Sequence, residues 1–429
     1  MIARPAVAVS LSVTGVVLLA LVGAGAPNNH TLDARLGPAW LGTMPGIDST
    51  VLTYAALALS SLGLAGMLAA RSRGWRPSPR RLLAVGAAAV MVVTNLTPVG
   101  SSDAASYAAY GRIAALGGDP YVMSPAQLGG LYAHLVGSAW KHTPSVYGPV
   151  ATWLQEAAAL VGGARAGTTI WLLMMANGAM FLATGYLLMR IADDPVRAGL
   201  MWVANPLLIA LLVTGGHLDT FVAALAVCAA AVQCATLRSG RPHHDVLVGV
   251  LAALACGVKI SAVLVGAALV WVLIRRGRWW AAARLAASGV LTLLVLYSPY
   301  GPHAISPLSA ASHMVSTPSL WEVLQPFEAA ALGHRPAAAV TAVMWPAMML
   351  GLAWWLHRRV PADVSPSYTM PFALTFAWVL VAPWSMPWYA AIAWAMAAQF
   401  LRGPLLRWLV LTTTALAMAH FGGGHGWRW

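Results

Sequence analysis

Charged side chains are scarce in this chain. Asp, Glu, Lys and Arg make up 9% of its 429 residues, whereas a soluble domain carries about 25%. Hydrophobic residues make up 59%, and apolar runs of about 17–25 residues, each long enough to cross about 30 Å of hydrocarbon, recur along the sequence. The composition therefore excludes an ordinary soluble domain and indicates a polytopic membrane protein.

Cysteine is almost absent as well. The three cysteines, Cys228, Cys234 and Cys256, lie in apolar runs without metal-ligand spacing, so we expect small core residues rather than a zinc site or a disulfide framework. The scattered histidines also lack the spaced histidine or carboxylate partners of a metal site. We therefore predict no metal and no cofactor.

Acidic residues are the rarer charged group: 12 Asp and Glu stand against 25 Lys and Arg, a net charge of +13. We interpret this excess as the positive-inside signal of a membrane protein rather than a nucleic-acid surface. With a cytoplasmic N-terminus, every large basic cluster falls on the cytoplasmic side. The clusters are Arg71 to Arg81, Arg190 and Arg197, Arg238 and Arg241, Arg275 to Arg278, Arg358 and Arg359, and Arg402 and Arg407. The sequence predicts a multi-pass protein of the bacterial plasma membrane, with no nucleic-acid partner.

The apolar runs predict one all-α membrane domain over 1–429 with about 13 transmembrane helices, within limits of about 11 to 14. The run 246–274 has Gly257-Val258-Lys259 near its middle, so we predict a hairpin of two short helices there. Segment 149–163 is predicted to be a surface or re-entrant helix, because a crossing there would invert every later arginine cluster. The other candidate spans are 6–25 (retained rather than cleaved), 51–70, 82–98, 168–189, 199–216, 220–236, 284–300, 336–356, 367–384, 387–401 and 405–421.

The polar intervals fall on the outer side in this topology. The longest is 98–148, and a second, 301–335, is placed to cover a site. Asp103 and Asp219 stand at the outer ends of apolar spans, where a carboxylate is costly and marks a candidate functional site. Each could instead cap the helix that follows it. The acids beside arginines or helix ends on the cytoplasmic side are predicted to be caps or solvated charges: Asp193, Asp194, Asp245 and Asp363.

Five landmarks follow one another over roughly residues 100–275. They are Ser102-Asp103 with Tyr107-Ala108-Ala109-Tyr110-Gly111-Arg112 and Gly118-Asp119-Pro120-Tyr121, Tyr147-Gly148-Pro149, Asn205-Pro206-Leu207, Gly215-Gly216-His217-Leu218-Asp219, and Gly257-Val258-Lys259. Their order resembles the polyprenol-phosphomannose-dependent α-1,6-mannosyltransferases of actinobacteria, which elongate the mannan core of lipoglycans. Most of the chain also resembles the wider GT-C class of membrane glycosyltransferases. The chain departs from the family pattern at Leu218, where that pattern has Asn, and it is shorter than typical members.

The resemblance implies a polyprenyl-phosphate-linked mannosyl donor bound from the outer leaflet and a glycan or glycolipid acceptor. It further implies inversion at the anomeric carbon and an α-1,6 product. Such a transfer needs a general base for the acceptor hydroxyl, and Asp103 at the membrane edge is the predicted one. The leaving phosphate needs fixed positive charge, for which Lys259 is the best candidate. Further candidates for donor binding are His217, Arg112, Asp219, Tyr107, Tyr110, Tyr147 and His142.

Plainer interpretations of these residues remain open. Lys259 could pair with an internal carbonyl or carboxylate, Arg112 could extend to the interface, and His142 could be an ordinary loop residue. The outer aromatics could form an interfacial belt, with one or two stacking on sugar; they are Tyr107, Tyr110, Tyr121, Tyr147, Trp384, Trp388 and Tyr389. A multispanning transporter or lipid flippase is the alternative function, although it explains the long acidic interval 98–148 less well.

Overall fold

The computed structural model describes residues 4–25, 49–239, 242–312, 314–400 and 404–420, and every regular element within them is a helix. The predicted all-α architecture is confirmed. Arg241 and Arg402 of the predicted clusters lie outside the described residues. The α-helices are α1 (Pro5–Gly25), α2 (Ser49–Ser72), α3 (Pro79–Thr94), α4 (Asp103–Ala115), α5 (Pro125–Leu128), α6 (Gly130–Leu135), α7 (Pro149–Gly162), α8 (Ala166–Ile191), α9 (Pro195–Met201), α10 (Pro206–Leu208), α11 (Asp219–Ser239), α12 (Pro242–Val258), α13 (Val263–Arg275), α14 (Trp279–Tyr297), α15 (Ser306–Ala311), α16 (Leu320–Leu332), α17 (His334–His357), α18 (Pro366–Val381), α19 (Ala391–Ala397) and α20 (Leu405–Ala419).

Seven helical segments among the described residues are long and apolar enough to cross a membrane. They are Pro5–Ala24, Thr50–Ser72, Ala166–Ile191, Pro195–Val213, Asp219–Leu237, Trp279–Tyr297 and Pro336–His357. Shorter apolar helices add His243–Val258, Ile260–Arg275, Pro366–Val381 and Leu405–Ala419. The chain is therefore a multi-pass membrane protein, while the total of about 13 crossings stays a prediction.

The predicted hairpin in 246–274 is confirmed. α12 ends at Val258, and Lys259 leaves the helical conformation with φ −151° and ψ 125°. A 3-10 turn over Ile260–Ala262 then leads into α13. Lys259 N still donates a hydrogen bond to Ala255 O at 3.0 Å, while Lys259 O accepts one from Ala262 N in the 3-10 turn. The helix therefore ends at this residue, and its side chain can enter the protein.

Segment 387–401 was predicted to be a span, and this prediction is wrong. A 3-10 turn over Pro387–Ala390 leads into α19, whose seven residues rise only about 10 Å. All residues of α19 are buried, so it packs against protein. An apolar run has the same composition whether protein or lipid surrounds it, so composition alone predicted a membrane span here.

The interval 98–148 contains the helices α4, α5 and α6, joined by turns and irregular segments. α7 begins at Pro149, as predicted, and its 14 residues rise about 21 Å, which is too short to span the bilayer upright. α4 and α7 pack very closely, since a Cβ on Gly111 would lie 2.1 Å from Gln155 O. The helix predicted at 82–98 is α3, which begins and ends about three residues earlier.

The second interval, 301–335, packs onto other parts of the chain. His303 Nε2 lies 2.6 Å from Asp119 Oδ2, and Trp321 Nε1 donates a hydrogen bond to Val381 O at 2.7 Å. These contacts connect it to the interval 98–148 and to the end of α18. Its role as a cover for a site stays a prediction.

α1 connects two polar ends of the helical bundle. Gly23 O, at the end of α1, accepts a hydrogen bond from Thr97 N, close to Asp103. Ala8, near the start of α1, packs instead in a cluster with Met67, one turn before the arginines that end α2. We call these the Asp103 end and the arginine end. The outer and cytoplasmic assignments of the two ends stay predictions.

Two sequence landmarks, Tyr147-Gly148-Pro149 and Gly257-Val258-Lys259, are in direct contact. Gly148 N donates a hydrogen bond to Val258 O at 3.2 Å. A Cβ on Gly148 would lie 2.4 Å from Gly257 O, closer than any side chain tolerates. Glycine at 148 therefore permits the approach that holds the Lys259 turn against the start of α7.

We expect Gly148→Ala to lower the free energy of unfolding by about 1–3 kcal/mol, because a backbone carbonyl must move to admit the methyl group. Gly351→Ala is the matched control: Gly351 lies inside α17 with nothing within 4 Å of its would-be Cβ, so alanine there should be neutral or slightly stabilising. Thermal unfolding of the detergent-solubilised variants measures both. Equal unfolding midpoints for the two variants would contradict the close approach.

Candidate active site

Asp103 lies in the first turn of α4 and faces the interior of the protein. Gly100, with a positive φ of 85°, turns the chain into this helix, and Ser101 Oγ accepts a hydrogen bond from Asp103 N at 3.1 Å. The carboxylate Oδ2 accepts a hydrogen bond from Tyr107 Oη at 3.3 Å and lies 3.3 Å from His217 Nδ1. The side chain is 17% exposed, and Ser102 rather than Asp103 occupies the N-cap position of α4. The contacts with Ser101 and Tyr107 are local, whereas the approach to His217 is tertiary, and capping does not explain it.

His217 is the buried partner of this carboxylate. It follows Gly216, whose positive φ of 65° forms the turn before α11. The ring is 1% exposed and stacks on Trp388, with centroids 3.8 Å apart and planes inclined by 16°. Nδ1 makes no hydrogen bond of good geometry, so the 3.3 Å approach to Asp103 is an ion-pair distance with poor alignment. Asn177 Nδ2 holds the His217 carbonyl at 2.5 Å.

Lys259 pairs with Asp219 beside this group. Its Nζ lies 3.0 Å from Asp219 Oδ1 and 2.9 Å from Oδ2, with side chains 13% and 7% exposed. The ammonium also lies 3.8 Å from the ring centroid of Tyr389, a cation–π contact. The interpretation in which Lys259 pairs with an internal carboxylate is thus the one realised. Asp219 opens α11, and its carboxylate is engaged by the lysine.

Tyr107 and Tyr147 complete the cluster. Their rings meet edge to face with centroids 5.0 Å apart, and Tyr107 is 1% exposed. Tyr110, also 1% exposed, instead donates a hydrogen bond to Thr143 O at 2.9 Å and anchors α4 to the segment between α6 and α7. The belt interpretation is wrong for the most buried of these aromatics, because side chains at most 7% exposed do not face lipid: Tyr107, Tyr110, Tyr121 and Trp388.

Arg112 and His142 are not brought into this cluster. Nine residues separate Arg112 from Asp103 on α4, which places them about 180° apart around the helix. The Arg112 guanidinium lies 6.0 Å from the ring centroid of Tyr132 instead. His142 is exposed in the turn that precedes α7. Their predicted contacts with a donor therefore receive no support from the geometry.

A cleft opens behind the His217–Trp388 stack, with mainly apolar walls from α1, α2 and α20. Thr53 and His420 line it, each 2% exposed, and neither the Thr53 hydroxyl nor the His420 ring nitrogens make a hydrogen bond of good geometry. Sequence reasoning missed these residues because they stand alone in apolar runs. Their position at the outer ends of predicted spans, close to the predicted site, was the one sequence signal that could have indicated them.

No group of three His, Cys, Asp or Glu side chains suited to a metal ion occurs among the described residues. The two carboxylates near the centre of the cluster, Asp103 and Asp219, have His217 and Lys259 as partners. The absence of a metal in the reaction stays a prediction.

Comparison with known proteins identifies the family. The profile of the α-(1→6)-mannopyranosyltransferase family, N-terminal domain, matches residues 9–275, a stretch that contains Asp103, His217, Asp219 and Lys259. The chain belongs to this family. No solved structure matches the chain with significance.

Two curated relatives are mycobacterial. A probable α-(1→6)-mannopyranosyltransferase of Mycolicibacterium smegmatis is 28% identical over 222 residues, covering 49% of this chain and 40% of the relative. An α-(1→6)-mannopyranosyltransferase of Mycobacterium tuberculosis is 33% identical over 135 residues, covering 30% of this chain and 23% of the relative. The match thus spans less than half the length of either relative.

Proposed function

We propose that the chain is a membrane mannosyltransferase that moves a mannosyl residue from a polyprenyl-phosphate-linked donor to a hydroxyl of a glycan or glycolipid. Transfer takes place on the outer face of the membrane, inverts the anomeric carbon and forms an α-1,6 linkage. One observation carries the proposal. The part of the chain that matches the family contains Asp103, His217, Asp219 and Lys259, and these four residues form one cluster at one end of the spans.

In this reaction the acceptor oxygen attacks the anomeric carbon while the bond from that carbon to the phosphate oxygen breaks. Asp103 takes the proton of the attacking hydroxyl, and polyprenyl phosphate leaves as the anion. Burial raises the pKa of Asp103, but the charge and contact of His217 together with the charge of Lys259 hold it below its ordinary value of 3.8. The carboxylate is therefore ionised and able to act as a base at neutral pH.

Lys259 donates a hydrogen bond to the leaving phosphate. An ammonium has three N–H donors, and the two Asp219 oxygens engage it on one side at 2.9 and 3.0 Å. The Tyr389 ring lies over the ammonium at 3.8 Å, so a phosphate oxygen that binds the third N–H shares or replaces this contact. Asp219 fixes the ammonium in place and keeps the lysine charged in its buried position.

The test supplies purified protein with radiolabelled polyprenyl-phosphomannose and mannan-like oligosaccharide or glycolipid acceptors. We expect label in the acceptor only when both substrates are present, with an α-1,6 linkage by chemical linkage analysis. Transfer from a nucleotide-linked mannose but not from the lipid-linked one would overturn the donor assignment. Movement of the lipid donor across vesicles without transfer would instead establish the transporter alternative.

The same assignment predicts a pH effect. We expect His217→Gln to move the acid limb of the kcat/KM profile to higher pH, because burial still raises the pKa of Asp103 while the His217 contribution that lowers it is gone. A base with a raised pKa becomes protonated at a higher pH, so activity is lost sooner on acidification. Transfer rates across acidic and neutral pH for the wild type and the variant measure this shift. A lower plateau with an unmoved acid limb would contradict it.

A further inference from the structure

Two arginines and one acid meet at the arginine end, far from the mannosyl-transfer cluster. Arg71, in the last turn of α2, forms an ion pair with Asp194. Asp194 is also the N-cap of α9, where its Oδ1 accepts a hydrogen bond from Arg197 N at 3.1 Å. The capping role predicted for Asp194 is thereby confirmed. The Asp194 carboxylate thus contacts both the side chain of Arg71 and the backbone of Arg197, which brings the two arginines to one place.

These two arginines leave buried donors without partners. Arg71 Nε and both Nε and Nη2 of Arg197 have almost no accessible surface and no hydrogen-bond partner in the described part of the chain. Arginine stays charged in proteins and cannot relieve the cost of burial by losing a proton. The one carboxylate in contact with both residues, Asp194, is already bonded to the Arg71 side chain and to the Arg197 backbone N–H. The site therefore has an excess of positive charge and of inward-facing donors.

The position of this positively charged site along the membrane-spanning helices indicates which kind of anion it binds. Arg71 is the second-last residue of the candidate span Thr50–Ser72, and Arg197 is the third of the candidate span Pro195–Val213. Both stand at span ends, where lipid head groups lie. Trp75 packs beside them on the apolar cluster that contains Val196 and Leu200, as aromatic residues do at membrane interfaces.

We propose that Arg71 and Arg197 bind the phosphate of an anionic phospholipid. The planar guanidinium fork matches the two non-bridging oxygens of a phosphodiester. The Arg71 side chain is 17% exposed, so a phosphate can reach the pair from the membrane interface, and the covered Nε and Nη2 atoms gain a partner when the side chains turn toward it. A zwitterionic lipid places a cationic group near the same arginines and binds less well. The proposal is independent of mannosyl transfer and holds for either orientation of the chain in the membrane.

The test adds phosphatidylglycerol, phosphatidylcholine or inorganic phosphate to the purified full-length protein in neutral detergent. We expect phosphatidylglycerol alone to raise the unfolding midpoint by a few degrees, and native mass spectrometry to retain one tightly held anionic lipid. A midpoint that rises equally with phosphatidylcholine, or with inorganic phosphate alone, would overturn the assignment to an anionic lipid.

Two variants at the site should act in opposite directions. Arg197→Gln should weaken phosphatidylglycerol binding about tenfold, the effect of one charge-assisted hydrogen bond. Asp194→Asn should strengthen it, because asparagine caps α9 equally well while the competing carboxylate charge is gone. Arg73→Gln, at an exposed arginine next to the end of α2, is the matched control and should leave binding unchanged.

Equal lipid affinity in Arg197→Gln and the wild type, or a loss in Asp194→Asn as large as that in Arg197→Gln, would overturn the proposal. If Arg197→Gln does not fold, Arg197→Lys keeps the charge without the planar fork, and an intermediate affinity is expected. Native mass spectra of the wild type are an independent test. A purified wild-type protein that retains no anionic lipid after phosphatidylglycerol is added would contradict the proposed lipid site.

Discussion

Asp103→Asn is expected to lower the rate of mannosyl transfer by about 10²–10⁴-fold, the range that a positioned general base contributes. Asparagine is close to aspartate in size and keeps an oxygen that can accept the Tyr107 hydrogen bond. It cannot take up the proton of the acceptor hydroxyl. The rate constant at saturating donor and acceptor, with radiolabelled polyprenyl-phosphomannose, measures the loss.

The choice of asparagine separates catalysis from helix capping. Asparagine serves at a helix start as well as aspartate does, and loss of the charge near the helix dipole costs only about 0.3–1 kcal/mol. A residue that only supports α4 would therefore leave transfer nearly intact. We expect an unfolding midpoint close to that of the wild type together with almost complete loss of turnover.

Glu156→Gln is the matched control for this prediction. Glu156 is a partly buried carboxylate on α7, the helix that packs against α4, and the same change from acid to amide is made there. We expect its turnover to stay near the wild-type rate. Undiminished turnover in Asp103→Asn, or equal losses in both variants, would remove Asp103 from the role of base.

The positions that sequence reasoning placed well are those where one residue breaks a strong pattern. Lys259 interrupts an apolar run too long for one buried helix, and the break in the structure occurs there. Pro149 is a favoured first residue of a helix, and α7 begins at it. Segment 387–401 lacked such a break, and its apolar composition cannot distinguish a lipid-facing span from the buried α19.

The candidate site was predicted only in part, for geometric reasons. Asp103 and Tyr107 share a face of α4 by their spacing, and the same spacing places Arg112 on the opposite face. The contact of His217 with Asp103 and the stacking on Trp388 join segments more than a hundred residues apart. No spacing rule reports such contacts. The partner of Lys259 was likewise open among a carbonyl, a carboxylate and a phosphate until the fold placed Asp219 beside it.

Lys259→Met is expected to destabilise the protein by about 3–5 kcal/mol, the usual cost when one member of a buried ion pair is removed. Asp219 would be left charged, with a side chain only 7% exposed. Loss of transfer by this single variant would therefore be ambiguous, since a distorted site and a missing phosphate ligand both weaken donor binding.

The double variant Lys259→Met, Asp219→Asn resolves this ambiguity. Without the orphaned carboxylate, most of the lost stability should return, because replacement of a whole buried pair is often close to neutral. If Lys259 also binds the leaving phosphate, the KM for the lipid donor should stay raised by about 10–100-fold, the effect of one hydrogen bond to a charged group. Thermal unfolding and donor titrations measure the two effects separately.

A second ion pair supplies the control. Arg284 Nη2 lies 2.7 Å from Asp245 Oδ2 at the arginine end, and Arg284→Met, Asp245→Asn removes that pair in the same way. We expect it to leave the donor KM unchanged. If the Lys259→Met, Asp219→Asn double variant regains both the unfolding midpoint and the donor KM of the wild type, Lys259 serves only to neutralise Asp219. In that case the leaving phosphate must bind hydrogen-bond donors elsewhere in the cluster, where His217 contributes ring nitrogens.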